Sequence, residues 1–330
     1  MVSIGIILIL VQGKCTQRCA EMRGNMSLDF KDCLVVGISS RALFDLEEEN
    51  KIYDQEGLAI YSKYQIDHEK DILKPGAGFQ LVKALLKLNS IDPNNRKTEI
   101  IVMSRNSADT SLRIFNSIEH YGLDVTRAAL SGGAHLSPYL SAFKTDLFLS
   151  ANEEDVQESI NNNVAAAIIC THPEYAIDTN KEIDQIRIAF DGDAVLFSDA
   201  SEKIFQEQGL DAFLAHEKEN AKSPLPEGPF AKLLKTISIL QNQFPKELAP
   251  IRTALVTARN APAHERVIRT LREWDVRIDE AFFLGGMGKE EVLKAFGAHM
   301  FFDDQQVHIN KASKLVPSAR VPYKGKGVIK

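Results

Sequence analysis

In the second half of the chain, four apolar runs end in side chains that can do chemistry. Arg187-Ile188-Ala189-Phe190 leads into Asp191-Gly192-Asp193, so two carboxylates emerge together across a glycine that lets the backbone turn. Such a pair can share a cation, although a D-x-D taken alone also describes a solvated turn. Val256-Thr257-Ala258-Arg259 places a hydroxyl where a helix begins, which suits a phosphate as well as it suits an N-cap. Gly285-Gly286-Met287-Gly288-Lys289 delivers an ammonium from a loop, either a point charge for phosphoryl oxygens or a surface lysine opening a helix. It is not a phosphate-binding P-loop, because Glu290 stands where Ser or Thr is required and the leading glycine is missing. Phe301-Phe302 runs into Asp303-Asp304, and hard oxygen ligands at this density point to Mg²⁺.

Taken singly, each feature is more often structural than functional. Together they occupy the C-terminal ends of successive strands, where open parallel sheets place their ligands. Expected strands are Leu34 to Ile38, Glu99 to Met103, Asp146 to Leu149 and Ala165 to Ile169, then Arg187 to Phe190, Thr253 to Val256, Ala281 to Leu284 and His299 to Phe302. Thr110 to His120 and Glu265 to Trp274 carry the apolar spacing of amphipathic helices.

The chain also repeats itself at about 150 residues. Lys51-Ile52-Tyr53 matches Lys203-Ile204-Phe205, and His68-Glu69-Lys70 matches His216-Glu217-Lys218. The helix opened by Pro75 matches that opened by Pro226, VMSRN from Val102 matches VTARN from Val256, and the LSGG at Leu130 matches the LGG at Leu284. The fold class is therefore α/β: two doubly wound, Rossmann-like units forming an internal repeat, over 29–175 and 182–325, joined near Glu174 to Lys181. The alignment sets Ser39 opposite Asp191, Arg41 opposite Asp193, Met103 or Ser104 opposite Thr257, Leu136 opposite Lys289, and Ser150-Ala151 opposite Asp303-Asp304. Every candidate catalytic group is absent from the first copy, which reads as a catalytically empty partner of the second.

A length of 330 residues, 44% hydrophobic and 25% charged, with 19 Gly and 12 Pro, excludes disordered, collagen-like and coiled-coil classes. A net charge of -6 leaves no basic excess for nucleic acid as main partner. Cys15, Cys19, Cys33 and Cys170 are too few and too irregular for a disulfide framework, so a cytoplasmic location is expected. Cys15 and Cys19 lack the second pair a zinc site needs, and Cys33 and Cys170 read as core. Val2 to Val11 is apolar but too short to span a bilayer and has no basic residue before it. Residues 1–28 are expected to be an unstructured leader rather than a signal peptide, with no membrane association.

Asp, Thr, Lys and Asp at four successive strand ends resemble the haloacid dehalogenase superfamily of aspartate-nucleophile phosphatases. AFDGDAVLFSD, LVTARNAPA, FLGGMGK and FFDDQ, with SSRALFDLEEEN in the first half, resemble the cytosolic 5′-nucleotidases of type I. The resemblance spans Leu34 to Tyr323. It implies hydrolysis of nucleoside 5′-monophosphates through an aspartyl-phosphate on Asp191, with Asp193 as acid and base, carrying a raised pKa. Asp191, the backbone carbonyl of Asp193, and Asp303 or Asp304 would hold Mg²⁺; Thr257 and Lys289 would bind the phosphoryl group, and Arg259 would join them or pair with a carboxylate. A helical cap is expected over 197–250, where Phe205, Phe213, His216 and Phe230 could stack on a base or fill a core. The resemblance further implies AMP as preferred substrate, ADP as effector and a homo-oligomer. Other readings are a phosphatase of another small phosphomonoester, or an inactive nucleotide-binding module.

Overall fold

The structure, a computed structural model, describes residues 33–170 and 182–325. The chain divides into a short unit, Met1–Lys31, and a large one, Asp32–Lys330. The expected leader, the junction at Glu174 to Lys181, Cys15 and Cys19 lie outside the described residues.

One ten-stranded sheet organises the large unit. Its strands are β1 (Leu34–Ile38), β2 (Thr98–Ser104), β3 (Arg127–Leu130), β4 (Leu147–Ser150), β5 (Ala165–Cys170), β6 (Ile186–Phe190), β7 (Ile251–Thr257), β8 (Glu280–Phe283), β9 (Met300–Asp303) and β10 (Ser318–Arg320). They lie in the order β3-β2-β1-β4-β5-β10-β9-β6-β7-β8. Neighbours run parallel except β5 and β10, which meet antiparallel at the centre. Read inward from either edge, the order is the same, so β1 and β6 hold equivalent places. All eight expected strands form, with ends shifted by two residues at most. β3 and β10 were not foreseen: RAAL and SAR carry little apolar signal, and their ladder partners define them.

Helices α1 (Ser40–Leu43), α2 (Glu47–Glu56), α3 (Leu58–Asp67) and α4 (Phe79–Lys87) lie between β1 and β2, and α5 (Leu112–His120), α6 (Ser137–Ala142) and α7 (Glu153–Asn161) follow β2, β3 and β4. In the second half a single turn, Gly192–Leu196, is followed by α8 (Ala200–Gln208), α9 (Leu210–Glu219) and α10 (Ala231–Asn242). Then α11 (His264–Glu273), α12 (Glu290–Phe296) and α13 (Gln306–Ala312) follow β7, β8 and β9. Within the segment expected as a cap, α10 buries Leu233, Leu234, Ile237 and Leu240 and packs on β7, which makes it a layer helix. The hairpin of α8 and α9 is what remains outside the layers. Among the described residues no helix is long and apolar enough to cross a membrane. β1, β2 and β4 are buried throughout, as strands covered on both faces must be. In the second half Phe190 packs on Phe302 at 5.6 Å and on Phe230 at 6.4 Å between ring centroids. Each such buried ring contributes roughly 1.5–3 kcal/mol. Cys33 is buried and Cys170 half-buried, and burial pushes the Cys33 thiol up to about 12.

The elements correct the sequence alignment in three places. Gly57 joins α2 to α3 at φ +83° and Gly209 joins α8 to α9 at φ +84°, a conformation that only glycine adopts without strain. Counting from these glycines sets Gln65 opposite Glu217 and Tyr64 opposite His216. The His68-Glu69-Lys70 match is a coincidence displaced by about one helical turn, since His68 is the C-cap of α3. Phe44 bridges Pro75 where Phe197 bridges Glu227, so Pro75 stands opposite Glu227, one residue beyond Pro226. Finally, Ser131 N–H bonds Ser104 O as Leu284 N–H bonds Thr257 O, each at 2.9 Å. Ser104 rather than Met103 is therefore opposite Thr257, and Asn106 rather than Arg105 is opposite Arg259. A one-residue shift matters because it turns every side chain to the other face.

Candidate active site

Asp191 leaves the end of β6 in extended conformation, and its N–H bonds Phe302 O on β9 at 2.8 Å. The next residues close a tight turn in which Ala194 takes φ +60°. Thr257, at the end of β7, accepts from Arg259 N–H at 3.2 Å. A Cβ on Gly192 would stand 3.3 Å from its hydroxyl, so glycine keeps that hydroxyl against the Asp191 turn.

Lys289 is the N-cap of α12 and is buried. Its Nζ donates to Asp191 Oδ1 and to Asp303 Oδ2, both at 2.7 Å. Asp303 also accepts from Gln305 N–H at 2.8 Å and lies 3.1 Å from His308 Nδ1. Tyr323 OH donates to Asp304. Carboxylate oxygens of Asp191, Asp303 and Asp304 lie within 4.8 Å of one another, all three residues being buried. Burial, reinforced by the neighbouring carboxylates, raises Asp191 and Asp304 above the usual range. For Asp303 burial acts the same way but is outweighed by His308 and Lys289, leaving it lowered. Burial works against the Lys289 ammonium, and Asp191 and Asp303 more than restore it. Three buried carboxyl groups share one ammonium in a small space, and hard oxygen donors of this kind fit a divalent cation such as Mg²⁺.

Asp193 faces another way. Arg259 grips it in a fork, Nε at 2.8 Å and an Nη at 2.6 Å, and reaches Glu217 Oε2 with its other Nη at 2.5 Å. Glu217 also accepts from Arg266 at 2.9 Å and from Ser201 Oγ at 2.8 Å. The Arg259 guanidinium lies 5.3 Å above the Phe213 ring. All its nitrogens are thus occupied, so of the two roles expected for Arg259 the structure shows the carboxylate pairing, not a phosphate clamp. A fork of two charge-assisted bonds holds the Asp193 carboxylate.

The four aromatic candidates separate. Phe205 is 44% exposed and meets the buried Phe213 edge-on at 6.2 Å. His216 is half-buried between Asn220 and Arg266. Phe230 is fully buried against Phe190 and Phe302 and belongs to the core, with no face for a base. The structure therefore gathers Asp191, Thr257, Lys289, Asp303 and Asp304 at one strand-end cluster and sets Asp193 with Arg259 beside it. Sequence reasoning missed Glu217, Arg266, His308 and Tyr323. Only His308 carried a local signal, five residues beyond Asp303.

A mostly parallel sheet with many helices and a buried acid-and-lysine cluster at its strand ends defines an α/β protein of Rossmann-like class. A family model described as 5′-nucleotidase matches residues 26–327, and the chain belongs to that family. It is 41% identical over 295 residues to human cytosolic 5′-nucleotidase 1B, covering 86% of this chain and 48% of the relative. The chain thus spans about half the length of that curated relative. No solved structure matches.

Proposed function

We propose that this chain is a Mg²⁺-dependent 5′-nucleotidase of the cytoplasm that hydrolyses nucleoside 5′-monophosphates, AMP foremost, through an aspartyl-phosphate. The observation that carries the reading is the cluster itself: Asp191 at a strand end, bonded by a buried Lys289 and within 4.8 Å of Asp303 and Asp304. Asp191 Oδ attacks phosphorus, the bond from phosphorus to the 5′ oxygen breaks, and Asp193 supplies the proton that oxygen needs. Water then attacks phosphorus, Asp193 takes its proton, and Asp191 is freed as phosphate leaves. For either transfer Asp193 must quit the Arg259 fork, so opening that fork belongs to the reaction. Asp191, Asp304 and Asp303 would hold Mg²⁺, which would offset charge on the phosphoryl oxygens. Thr257 and Lys289 orient the same oxygens.

In this reading the two halves are copies, only the second is catalytic, and the α8 and α9 hairpin caps the site. Phe205 at the hairpin surface is the base contact, while an ADP effector and a homo-oligomer come with the family. The test is phosphate release from AMP, IMP, dCMP and glucose 6-phosphate with and without Mg²⁺. The proposal expects Mg²⁺-dependent release that favours AMP. Release from glucose 6-phosphate at an equal rate would contradict a nucleotidase, and release without metal would contradict the site.

A further inference from the structure

The first half holds a cavity of about 480 Å³ at the strand ends of β1 and β2, the place that β6 and β7 give to the acid cluster in the second half. That volume falls within the range of small-molecule sites. Its chemistry has been inverted. Where the second half has Asp191, Asp303 and Asp304, the first has Ser39, Ser150 and Ala151, and Arg41 lies in the turn that carries Asp193 in the second half. Three carboxylates become two hydroxyls and a methyl group, and the turn gains a guanidinium. Gln65 replaces Glu217, and the acid of that buried network moves to Glu49, where Arg113 holds it at 2.5 Å. The second site needs a cation before it can receive an anion, whereas the first presents a cation of its own.

That cation is Arg41. One Nη reaches the exposed Glu47 at 3.1 Å, and its Nε is buried with no hydrogen-bond partner. The guanidinium is the reachable part: the Arg41 side chain stays 32% exposed and lines the cavity, where it can pair with an anionic oxygen. Part of the lining is aromatic. Tyr53 and Tyr61 meet edge-on at 5.7 Å, as Phe205 and Phe213 do in the second half. Tyr53 is 49% exposed, while the buried Tyr61 turns its hydroxyl to Gln65 and Asn106. Arg41 beside the Arg105–Asp155 pair, with amide and hydroxyl donors and the exposed Tyr53 side chain, fits a phosphate carried on a flat heterocycle.

We infer that this cavity is a second ligand site, which binds a nucleoside phosphate without metal and does not cleave it. No carboxylate replaces the Asp191 nucleophile, and the metal-ligand positions hold Ser150 and Ala151. The inference deepens the nucleotidase reading, and its test separates the two.

The experiment is equilibrium binding of AMP to the full chain carrying Asp191→Asn, in EDTA and then in Mg²⁺. One AMP per chain is expected in EDTA and a second when Mg²⁺ is added. Arg41→Ala should weaken the EDTA site at least about tenfold, the loss of one charge-assisted bond. Ser62→Trp, which fills the cavity from a half-buried wall position, should abolish it. Adenosine should bind at least about tenfold more weakly than AMP. No binding in EDTA, or binding indifferent to both Arg41→Ala and Ser62→Trp, overturns the inference. Adenosine binding as tightly as AMP overturns the anion assignment. Failure of the wild type to release phosphate from AMP in Mg²⁺ would strike the nucleotidase reading alone.

Discussion

The two halves place the same strands in the same order and differ in what their strand ends carry. β1 ends in Ser39, whose Oγ accepts from Ala42 N–H at 3.2 Å and so caps α1. β6 ends in Asp191, whose carboxylate makes no such cap and bonds Lys289 instead. One position does a backbone task and the other holds charge at a cost. Burying Asp191, Asp303 and Asp304 together opposes folding, and the first half, free of that arrangement, has no such cluster among the described residues. Strand order is therefore common to both halves, whereas the acid cluster stands in one of them.

The sharpest way to break this comparison is to remove metal. Activity in EDTA should fall to background and return with Mg²⁺, read as phosphate release. Lys289→Ala should lower kcat/KM by roughly 10²–10³, the usual cost of a lost transition-state donor, and Leu136, its buried counterpart, does no comparable work. Glu217→Gln leaves Arg259 and Arg266 without their buried partner and should cost about 3–5 kcal/mol in denaturant unfolding. Burial opposes the Glu217 carboxylate, and Arg259, Ser201 and Arg266 outweigh it, so its pKa lies below the usual glutamate range. The stabilisation is therefore complete above the ordinary glutamate value and lost as pH falls through the folded one. Glu217→Gln should flatten that acid limb in unfolding curves taken across pH. The smallest effects should be alike in both halves: Ser117→Ala and Thr270→Val each strand a buried N–H, of Leu73 and Leu225, for about 1–3 kcal/mol. A large difference between those two would weaken the picture of a shared scaffold.

Much of this was legible before the structure, for a physical reason. Parallel strands buried on both faces are short apolar runs, so their ends are visible; Asp191, Thr257, Asp303 and Asp304 stand at or just beyond them, and Lys289 follows the glycine-rich loop after β8. What faces those residues was not legible. Glu217 sits inside α9 with helical neighbours, and Tyr323 follows β10, so only tertiary packing brings them to Arg259 and Asp304. Register was misread where words matched better than geometry. VMSRN and VTARN align letter for letter with Arg105 on Arg259, but the ladder sets Asn106 there. Arg105 instead pairs with Asp155 at 2.7 Å on α7. That single-residue correction puts the Asn106 amide at the position of Arg259, in a first-half cavity that Arg105 and Asp155 also line. Phe230 shows the opposite limit: a helical spacing of aromatics cannot tell a base platform from a core, and here the core prevails.

The central claim is that cleavage belongs to one half. It is tested most directly by phosphate release from AMP in Mg²⁺, measured side by side on wild type, Asp191→Asn and Ser39→Ala. Asp191→Asn should lose at least about 10³-fold in turnover, as loss of a nucleophile requires. Ser39→Ala should lose a helix cap worth about 1 kcal/mol of stability and keep its turnover within about threefold of wild type. Comparable losses from both variants, or turnover that survives Asp191→Asn, would contradict the account.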